Sequence, residues 1–474
     1  MNKNYNSEKV FEIISGWFDE NREALIALSN RIWNLAEVGY KETLSAEALT
    51  NELKSRGFTV KLGLKNLPTA FVAQWCNGTG PVISFLGEYD ALPNMGYEIA
   101  DAPKPTGKNG HACGHNLLGA GTLSAAAAAK EVMEKLNIKG TLRYYGCPAE
   151  ECCAAKAEMA ANGDFDGTDA VLRWHPQNFT YVSMASTLRL NELRFRFRGI
   201  SAHAQTQPHL GRSALDAVIL TDIAVKYMRE LIPDNHIRIS RAITNGGGQL
   251  PTVIAGYAEI FYAVSAASRE DSQNVINRMI KIAKGIAMAT ETEVEIVYGA
   301  ACSEVLPNKA ISECMLENLK KVGAPKWTEE EKAFAAKLDE DTSPIDKART
   351  MAIYNITDPR VLETPLYEGI SENMIENGIG LFSTDSADPS WVAPMGSLFA
   401  ACAPVGSSVH SWPFTVCSGM SIGHKAMEVA GKTLVLTAVN LIANENVLKN
   451  AKAEHKRLLA ARPYINPQNL VFES

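Results

Sequence analysis

Three short apolar runs limit what this chain can become: Pro81-Val-Ile-Ser-Phe-Leu86, Thr141-Leu-Arg-Tyr-Tyr145 and Ala170-Val-Leu-Arg-Trp174 each read as a strand. Each run stops abruptly at residues that carry donor atoms. Gly87-Glu-Tyr-Asp-Ala-Leu-Pro93 follows the first and leaves two carboxylates at a strand's end, Glu150 and Glu151 follow the second, and His175 follows the third. Between the first two runs, Leu117 to Leu136 is rich in Ala and Leu with Lys and Glu near its end, which predicts a helix turned by Asn137 to Gly140. Strands alternating with helices predict an α/β fold with a mainly parallel sheet, whose ligand sites lie beyond the carboxyl ends of the strands.

The rest of the chain divides around this core. Ser7 to Arg56 reads as helices, with Phe11, Ile14, Trp17 and Phe18, then Leu25, Leu28, Ile32 and Leu35, recurring at three and four until Gly57. Phe58 to Val60 and Ala70 to Ala73 are further short strands. Near Thr187 the pattern changes: Leu193, Phe195 and Phe197 alternate with Arg194, Arg196 and Arg198, a strand with one buried and one wet face. A helix (213–231), strands (236–244 and 253–264), a helix (270–290) and a strand (293–298) complete the β-α-β-β-α-β order of a ferredoxin-like unit. We therefore expect an α+β domain at 187–300 inserted into a discontinuous domain of 1–186 and 301–474. Residues 327–356 are charged and irregular, which predicts a surface elaboration. A last Ala-rich helix, His424 to Ala443, would cover the sheet, and the tail beyond Arg462 is expected to dock loosely.

A length of 474 residues suits two domains better than one core. The 46 basic and 53 acidic residues leave a net charge of −7 with no long basic run, which argues against nucleic acid or an anionic membrane as partner. Residues 1–20 lack the apolar core of a signal peptide, and the apolar run near Ala125 to Ala129 is too short to span a bilayer, so a cytoplasmic protein is expected. Nine cysteines without dense, even spacing predict reduced thiols; the adjacent Cys152-Cys153 reads as small packing residues rather than a redox pair.

Cys113 and His115 stand two apart in Gly107-Lys-Asn-Gly-His-Ala-Cys-Gly-His-Asn116, whose glycines let a thiolate and an imidazole converge. With Glu151, His175 and His410, the last flanked by small residues in Gly406-Ser-Ser-Val-His-Ser411, they make five donors of the kinds that hold a divalent transition metal. Five is one too many for a single tetrahedral ion and suits two ions sharing a bridging ligand and a water. A lone buried histidine is ordinarily satisfied by a backbone carbonyl; several donors together at strand ends point instead to a site. Glu150 and Glu151 can divide the work at a turn: Glu151 binds metal, and Glu150 takes a proton from the bridging water and passes it to a departing amine. An adjacent Glu pair is otherwise a solvated surface feature, but Cys-Pro-Ala before it and Cys-Cys-Ala-Ala after it describe a buried setting.

Gly87-Glu-Tyr-Asp-Ala-Leu-Pro93, His111-Ala-Cys-Gly-His115, Pro148-Ala-Glu-Glu151 and Ser201-Ala-His203 resemble the aminoacylase/carboxypeptidase family of dinuclear metallopeptidases, in its branch with a Cys ligand. The resemblance runs from about Trp33 to about Tyr464. It implies a zinc-peptidase-like catalytic domain interrupted by a lid and dimerisation domain. By position it makes Cys113, His115, Glu151, His175 and His410 the ligands of two divalent ions, zinc or manganese. Glu150 becomes the general base, Asp90 the group that orients an imidazole, and His203 a lid histidine that reaches the partner subunit's site and stabilises the oxyanion. It also implies a homodimer formed through the lid, with room for a homologous second subunit, and a small amide substrate such as an N-acyl or N-aroyl amino acid. The chain departs from the family where a free substrate carboxylate is commonly read: Thr252 and Ser265 stand where a lid Asn and an Arg are expected. Arg212 or Arg269 would have to supply the missing cation. The competing readings are a non-catalytic partner subunit or binding protein that keeps the fold, and a protein with a structural metal. The full donor set with Glu150 beside it argues against both.

Overall fold

The computed structural model describes residues 7–152, 155–233, 236–248, 250–354, 356–372, 374–469 and 472. Its strands are β1 (Thr59–Leu64), β2 (Leu67–Cys76), β3 (Val82–Glu88), β4 (Thr141–Cys147), β5 (Ala170–Gln177), β6 (Thr180–Ser183), β7 (Arg189–Arg198), β8 (Arg238–Asn245), β9 (Tyr257–Ala266), β10 (Glu293–Cys302), β11 (Ile370–Ser371) and β12 (Met395–Ala401). They form an eight-stranded sheet, β1-β2-β4-β3-β5-β12-β6-β11, and a four-stranded one, β10-β7-β9-β8. The chain divides into two compact units. One holds the described parts of Met1–Ser186, Leu306–Gly380 and Asp388–Tyr464; the other holds those of Thr187–Val305, Leu381–Ala387 and Ile465–Ser474.

In the first unit the central strands β4, β3, β5 and β12 are all parallel, and antiparallel pairs β1-β2, β2-β4 and β12-β6 flank them. These central strands are buried along nearly their whole length, which is why they read as continuous apolar runs. Parallel pairing sends their carboxyl ends to one edge, where Glu88 lies in register with Cys147. The helix His115–Lys135 is buried on all sides along most of its length, and its Gly and Ala residues let it lie close to its neighbours. The helix Ser421–Ala443 is long and apolar enough to cross a membrane, but 78% of its most apolar window is buried within the protein. Its apolarity belongs to the core, which it shares with His115–Lys135.

Residues 327–356 correct the expectation of an irregular surface segment. They contain two helices, Glu329–Leu338 and Pro344–Ile353. The first is opened by a reciprocal cap: the Thr328 side chain accepts from Glu331 N while the Glu331 carboxylate accepts from Thr328 N. Trp327 is buried and its indole N–H donates to Ile422 O at 3.2 Å. A further helix, Glu445–Ala461, follows the one read from the sequence.

The second unit pairs all four of its strands antiparallel. Its helices Ala214–Met228 and Arg269–Ala289 are each opened by a serine, Ser213 and Ser268, whose hydroxyl accepts from the backbone N–H three residues on. The apolar face of β7 packs with Ile260, Tyr262 and Val264 of β9 into one core. On the wet face Arg194 and Arg196 both bond Glu259, at 3.1 and 2.7 Å. Strand β9 begins at Tyr257 rather than Val253. The tail is docked more firmly than expected, with Phe472 buried in this core and stacked on Tyr298 at 5.2 Å. Cys153 lies outside the described residues, and no disulfide joins the other cysteines among the described residues.

Candidate metal centre

The site begins with backbone that only certain residues tolerate. Gly114 precedes the helix His115–Lys135 with φ +74°, and a Cβ there would meet Pro176 at 2.9 Å, so glycine is required by conformation and by space. Ala149 and His410 hold φ of +52° and +64° without being glycine, a conformation that costs an L-residue about 1–2 kcal/mol. Each is pinned by a hydrogen bond. Ala149 N donates to Glu42 Oε1 at 2.7 Å, just before Glu150 and Glu151, and His410 N donates to Ala112 O at 2.9 Å, just before Cys113.

These turns bring all five sequence-predicted donors together in overlapping triads. Cys113, His115 and His175 form one, and Cys113, Glu151 and His410 another, with the donor atoms of each triad within 4.8 Å of one another. Cys113 Sγ stands 3.5 Å from His175 Nε2, and His410 Nε2 stands 3.3 Å from Glu151 Oε2. A third triad joins His115 and Glu150 to Glu88, which the sequence reading leaves aside. Cys113, His115 and Glu150 are buried, Glu151 and His175 half-buried, and His410 exposed.

The outer hydrogen bonds fix which atoms face inward. Asp90 Oδ1 accepts from His115 Nδ1 at 2.9 Å and its Oδ2 accepts from Glu151 N at 3.0 Å, so one carboxylate aligns two donors. His175 Nδ1 donates to Pro176 O at 2.7 Å, which leaves Nε2 with its lone pair. His115 Nε2 and Glu151 Oε1 are buried without a hydrogen-bond partner. Two orphaned donor atoms beside a thiol and a second imidazole fit a divalent metal ion and little else.

The electrostatics agree. Burial pushes the Cys113 thiol well above its ordinary range, and burial, helped by His115, lowers His175 to about 3. Burial would also lower His115, but Cys113 and Asp90 outweigh it and hold a proton on the ring. Metal must therefore displace protons from Cys113 and His115 as it binds. Burial opposes ionisation of Glu88, yet Lys156, then His115, keep its carboxyl well below the usual range. Behind the site, burial and then Asp90 push the Glu42 carboxyl up to about 7.

In the sequence Glu88 stands out only as one of two carboxylates at a strand's end, with no role given to it, and Lys156 does not stand out at all. Glu88 ends β3 and Asp90 lies two residues on, and both carboxylates face His115, so a role for Asp90 directs attention to Glu88 beside it. Lys156 is fully buried in the short Ala-rich helix Ala155–Ala161, where nothing in the local sequence announces its partner.

The remaining candidates lie in the second unit. His203 pairs with Val253 in an isolated bridge, and Ala204 N donates to Thr252 O at 2.9 Å, so His203 and Thr252 are neighbours. The ring of His203 accepts at Nδ1 from Gln205 N and Thr206 N, each at 3.3 Å, which leaves Nε2 as the N–H edge. Ser265 sits on β9 with its hydroxyl 3.4 Å from that of Ser383. Arg212 is engaged: its guanidinium bonds Glu291 at 2.7 and 2.8 Å and donates to Gly211 O.

Residues 85–384 match the model of peptidase family M20/M25/M40. The chain is 37% identical over 472 residues to one subunit of p-aminobenzoyl-glutamate hydrolase from Escherichia coli (strain K12), spanning 97% of this chain and 98% of that protein. Its fold is similar to the crystal structure of an aminobenzoyl-glutamate utilization protein from Klebsiella pneumoniae, with a TM-score of 0.62, 16% identity, and 91% and 99% of the two chains covered. It is also similar to a dinuclear metal binding peptidase of Bacillus subtilis, with a TM-score of 0.57, 16% identity, and 90% and 99% covered. The chain belongs to peptidase family M20/M25/M40, the enzymes of amide-bond hydrolysis that its donor set and motifs resemble.

Proposed function

We propose that this chain hydrolyses the amide of an N-acyl or N-aroyl amino acid, of the p-aminobenzoyl-glutamate kind, using two divalent ions held by Cys113, His115, Glu151, His175 and His410. The overlap of two donor triads at Cys113 carries the reading. Bound there, the ions would polarise the amide carbonyl and make a water nucleophilic near neutral pH. Thiolate and imidazole donors favour zinc, and carboxylate donors admit manganese.

The protein's own groups do the rest. Asp90 holds His115 and the backbone of Glu151 in place, so the donors need little rearrangement. Glu150, buried at the end of β4 with Oε2 3.9 Å from His115 Nε2, takes a proton from the attacking water and delivers it to the departing amine nitrogen. His203 of the partner subunit would donate from Nε2 to the oxyanion, a contribution of about 2.7–4 kcal/mol for a preorganised donor.

A homodimer is part of the reading. Strand β8 is an open edge of its sheet, and beside it the helix Ala214–Met228 and the turn after it expose Ile219, Ile223, Tyr227 and Leu231 at intervals of four. An unpaired edge next to an apolar stripe suits a second copy of this unit. The Escherichia coli relative is named as one subunit of a hydrolase, which makes a homologous second subunit the other partner to test. Cysteines without a disulfide among the described residues fit a reducing compartment, the cytoplasm.

Glu150→Gln tests the mechanism: two ions remain bound while turnover falls by a factor of about 10²–10⁴. Unchanged turnover would remove Glu150 from the reaction. Substrate class is tested with p-aminobenzoyl-glutamate and its analogue capped as an α-carboxamide. Preference for the free acid means that another cation replaces the missing arginine; equal or reversed preference assigns Thr252 and Ser265 to a different amide.

A further inference from the structure

Beside the five donors, the end of β3 carries Glu88, a carboxylate that the proposed mechanism does not use. Glu88 Oε2 lies 3.5 Å from His115 Nε2, which lies 3.9 Å from Glu150 Oε2. Around an ion with bonds of about 2.0–2.2 Å, neighbouring donors stand roughly 3–4 Å apart, so this triad has the dimensions of a metal position. It competes with the Cys113–His175 side for His115, because one imidazole nitrogen binds one ion. An ion in it would also make a ligand of Glu150 and close its lone pairs to a proton.

One more group decides between the two. Lys156 Nζ stands 3.0 Å from Glu88 Oε1, with the Lys156 side chain at 0% exposure and that of Glu88 at 2%. The short helix Ala155–Ala161 fixes this ammonium beneath the carboxylate. A dication on the second oxygen of the same carboxylate would face that fixed charge within a few ångströms in a poorly screened interior.

We propose that Lys156 is an internal cation that occupies Glu88 and keeps metal off the Glu88–His115–Glu150 face, so that His115 serves the Cys113 side and Glu150 stays unligated. Lys156 and Glu88 are thus positioning residues. The inference rests on the two-ion reading of the five donors and on Glu150 as the proton carrier.

The test compares wild type with Lys156→Met, Glu88→Gln and the double variant, a neutral pair of similar volume. Metal content is measured after dialysis against zinc, zinc affinity by competition with a chromophoric chelator, and kcat and KM separately. Lys156→Met is expected to bind zinc at least about tenfold more tightly or to gain an ion, because removing the ammonium leaves the buried Glu88 carboxylate with less positive charge around it. Its kcat falls while KM stays. Glu88→Gln, which turns the unneutralised ammonium on the ions, weakens zinc at least about tenfold. The double variant returns both metal content and affinity to wild-type values, a rescue that a merely structural role would not produce. Zinc affinity in Lys156→Met within about threefold of wild type with no added ion, or a double variant as displaced as either single one, overturns the proposal. Should Lys156→Met fail to fold, Glu88→Gln decides alone, and unchanged affinity there is equally fatal. Wild-type metal content tests the two-ion reading separately.

Discussion

Asp90 is the most informative single residue to change, because one carboxylate serves two proposed ligands at once. It accepts from His115 Nδ1 at 2.9 Å and from Glu151 N at 3.0 Å, and it is essentially excluded from water. Asp90→Asn preserves shape but offers one acceptor oxygen where two were used. Its amide group must confront one of the two donors whichever way it turns. If His115 loses its acceptor, the proton moves to Nε2, the atom that faces the cluster, and the ring cannot bind metal. If Glu151 N loses it, a buried amide is left unsatisfied, at about 1–3 kcal/mol. Either outcome loosens a proposed ligand, and loss of such outer partners typically weakens metal 10–100-fold, about 1.4–2.8 kcal/mol.

Isothermal titration of metal-free protein with zinc reads this directly, with metal content after dialysis as a second measure. Metal should weaken by one to two orders of magnitude while circular dichroism reports an intact fold. Titration at two pH values adds a signature, since the proton that Asp90 helps to hold on His115 must leave when metal binds. Wild type should bind more tightly at higher pH, with a shallower slope in Asp90→Asn. Two ions bound within about threefold of wild-type affinity would refute the argument that Asp90 sets the ligand geometry.

The remaining expectations are simpler. Glu42 has a folded pKa raised to about 7 from 4.5, so the folded state binds its proton more tightly than the unfolded chain. That stability is complete below pH 4.5 and is lost as pH rises through 7, about 3 kcal/mol in all. Denaturant titrations of Glu42→Gln against wild type should show the difference closing at low pH and opening above neutrality; a pH-independent difference would contradict it. Gly87→Ala should destabilise by about 1–3 kcal/mol in urea, because its Cβ would collide with Tyr144 Oη and that ring is fully buried. Ile223→Asp with Tyr227→Lys should convert a dimer to monomers in sedimentation if the helix Ala214–Met228 lies in the interface. A dimer that persists moves the interface elsewhere.

What the sequence disclosed follows from burial. Strands β3, β4 and β5 were legible because central parallel strands need no polar alternation, and their donor-rich ends announced the site. Strand β7 was legible for the opposite reason, its alternating Phe and Arg. Strands β6 and β11, of four and two residues, are too short for any period to show. The helices between 329 and 353 were misread because charge on a solvated helix face resembles charge in a loop, although Thr328 and Glu331 spelled a cap. Four of the five candidate donors were legible because they sit among small residues, and His175 because it ends an apolar strand. Lys156 was not, because its meaning depends on Glu88, 68 positions away and adjacent only after β3 and β4 pair.

That last dependence explains how the site holds together. Four acidic side chains, Glu88, Asp90, Glu150 and Glu151, crowd around one imidazole, His115, all within 4.0 Å of it. Such a group would spread apart if only a metal ion gathered it. Instead the backbone fixes it from several sides: Glu42 grips Ala149, Asp90 grips Glu151, Ala112 receives His410 N, and Pro176 leaves no room for a side chain at Gly114. Lys156 and the protonated His115 offset the charge. A site fixed by the fold in this way is preorganised, so its donors need not move when metal arrives. Chelation should therefore lower the thermal midpoint of this protein and leave the far-ultraviolet spectrum at room temperature unchanged. Unfolding on chelation would mean that the ions, and not these hydrogen bonds, assemble the site.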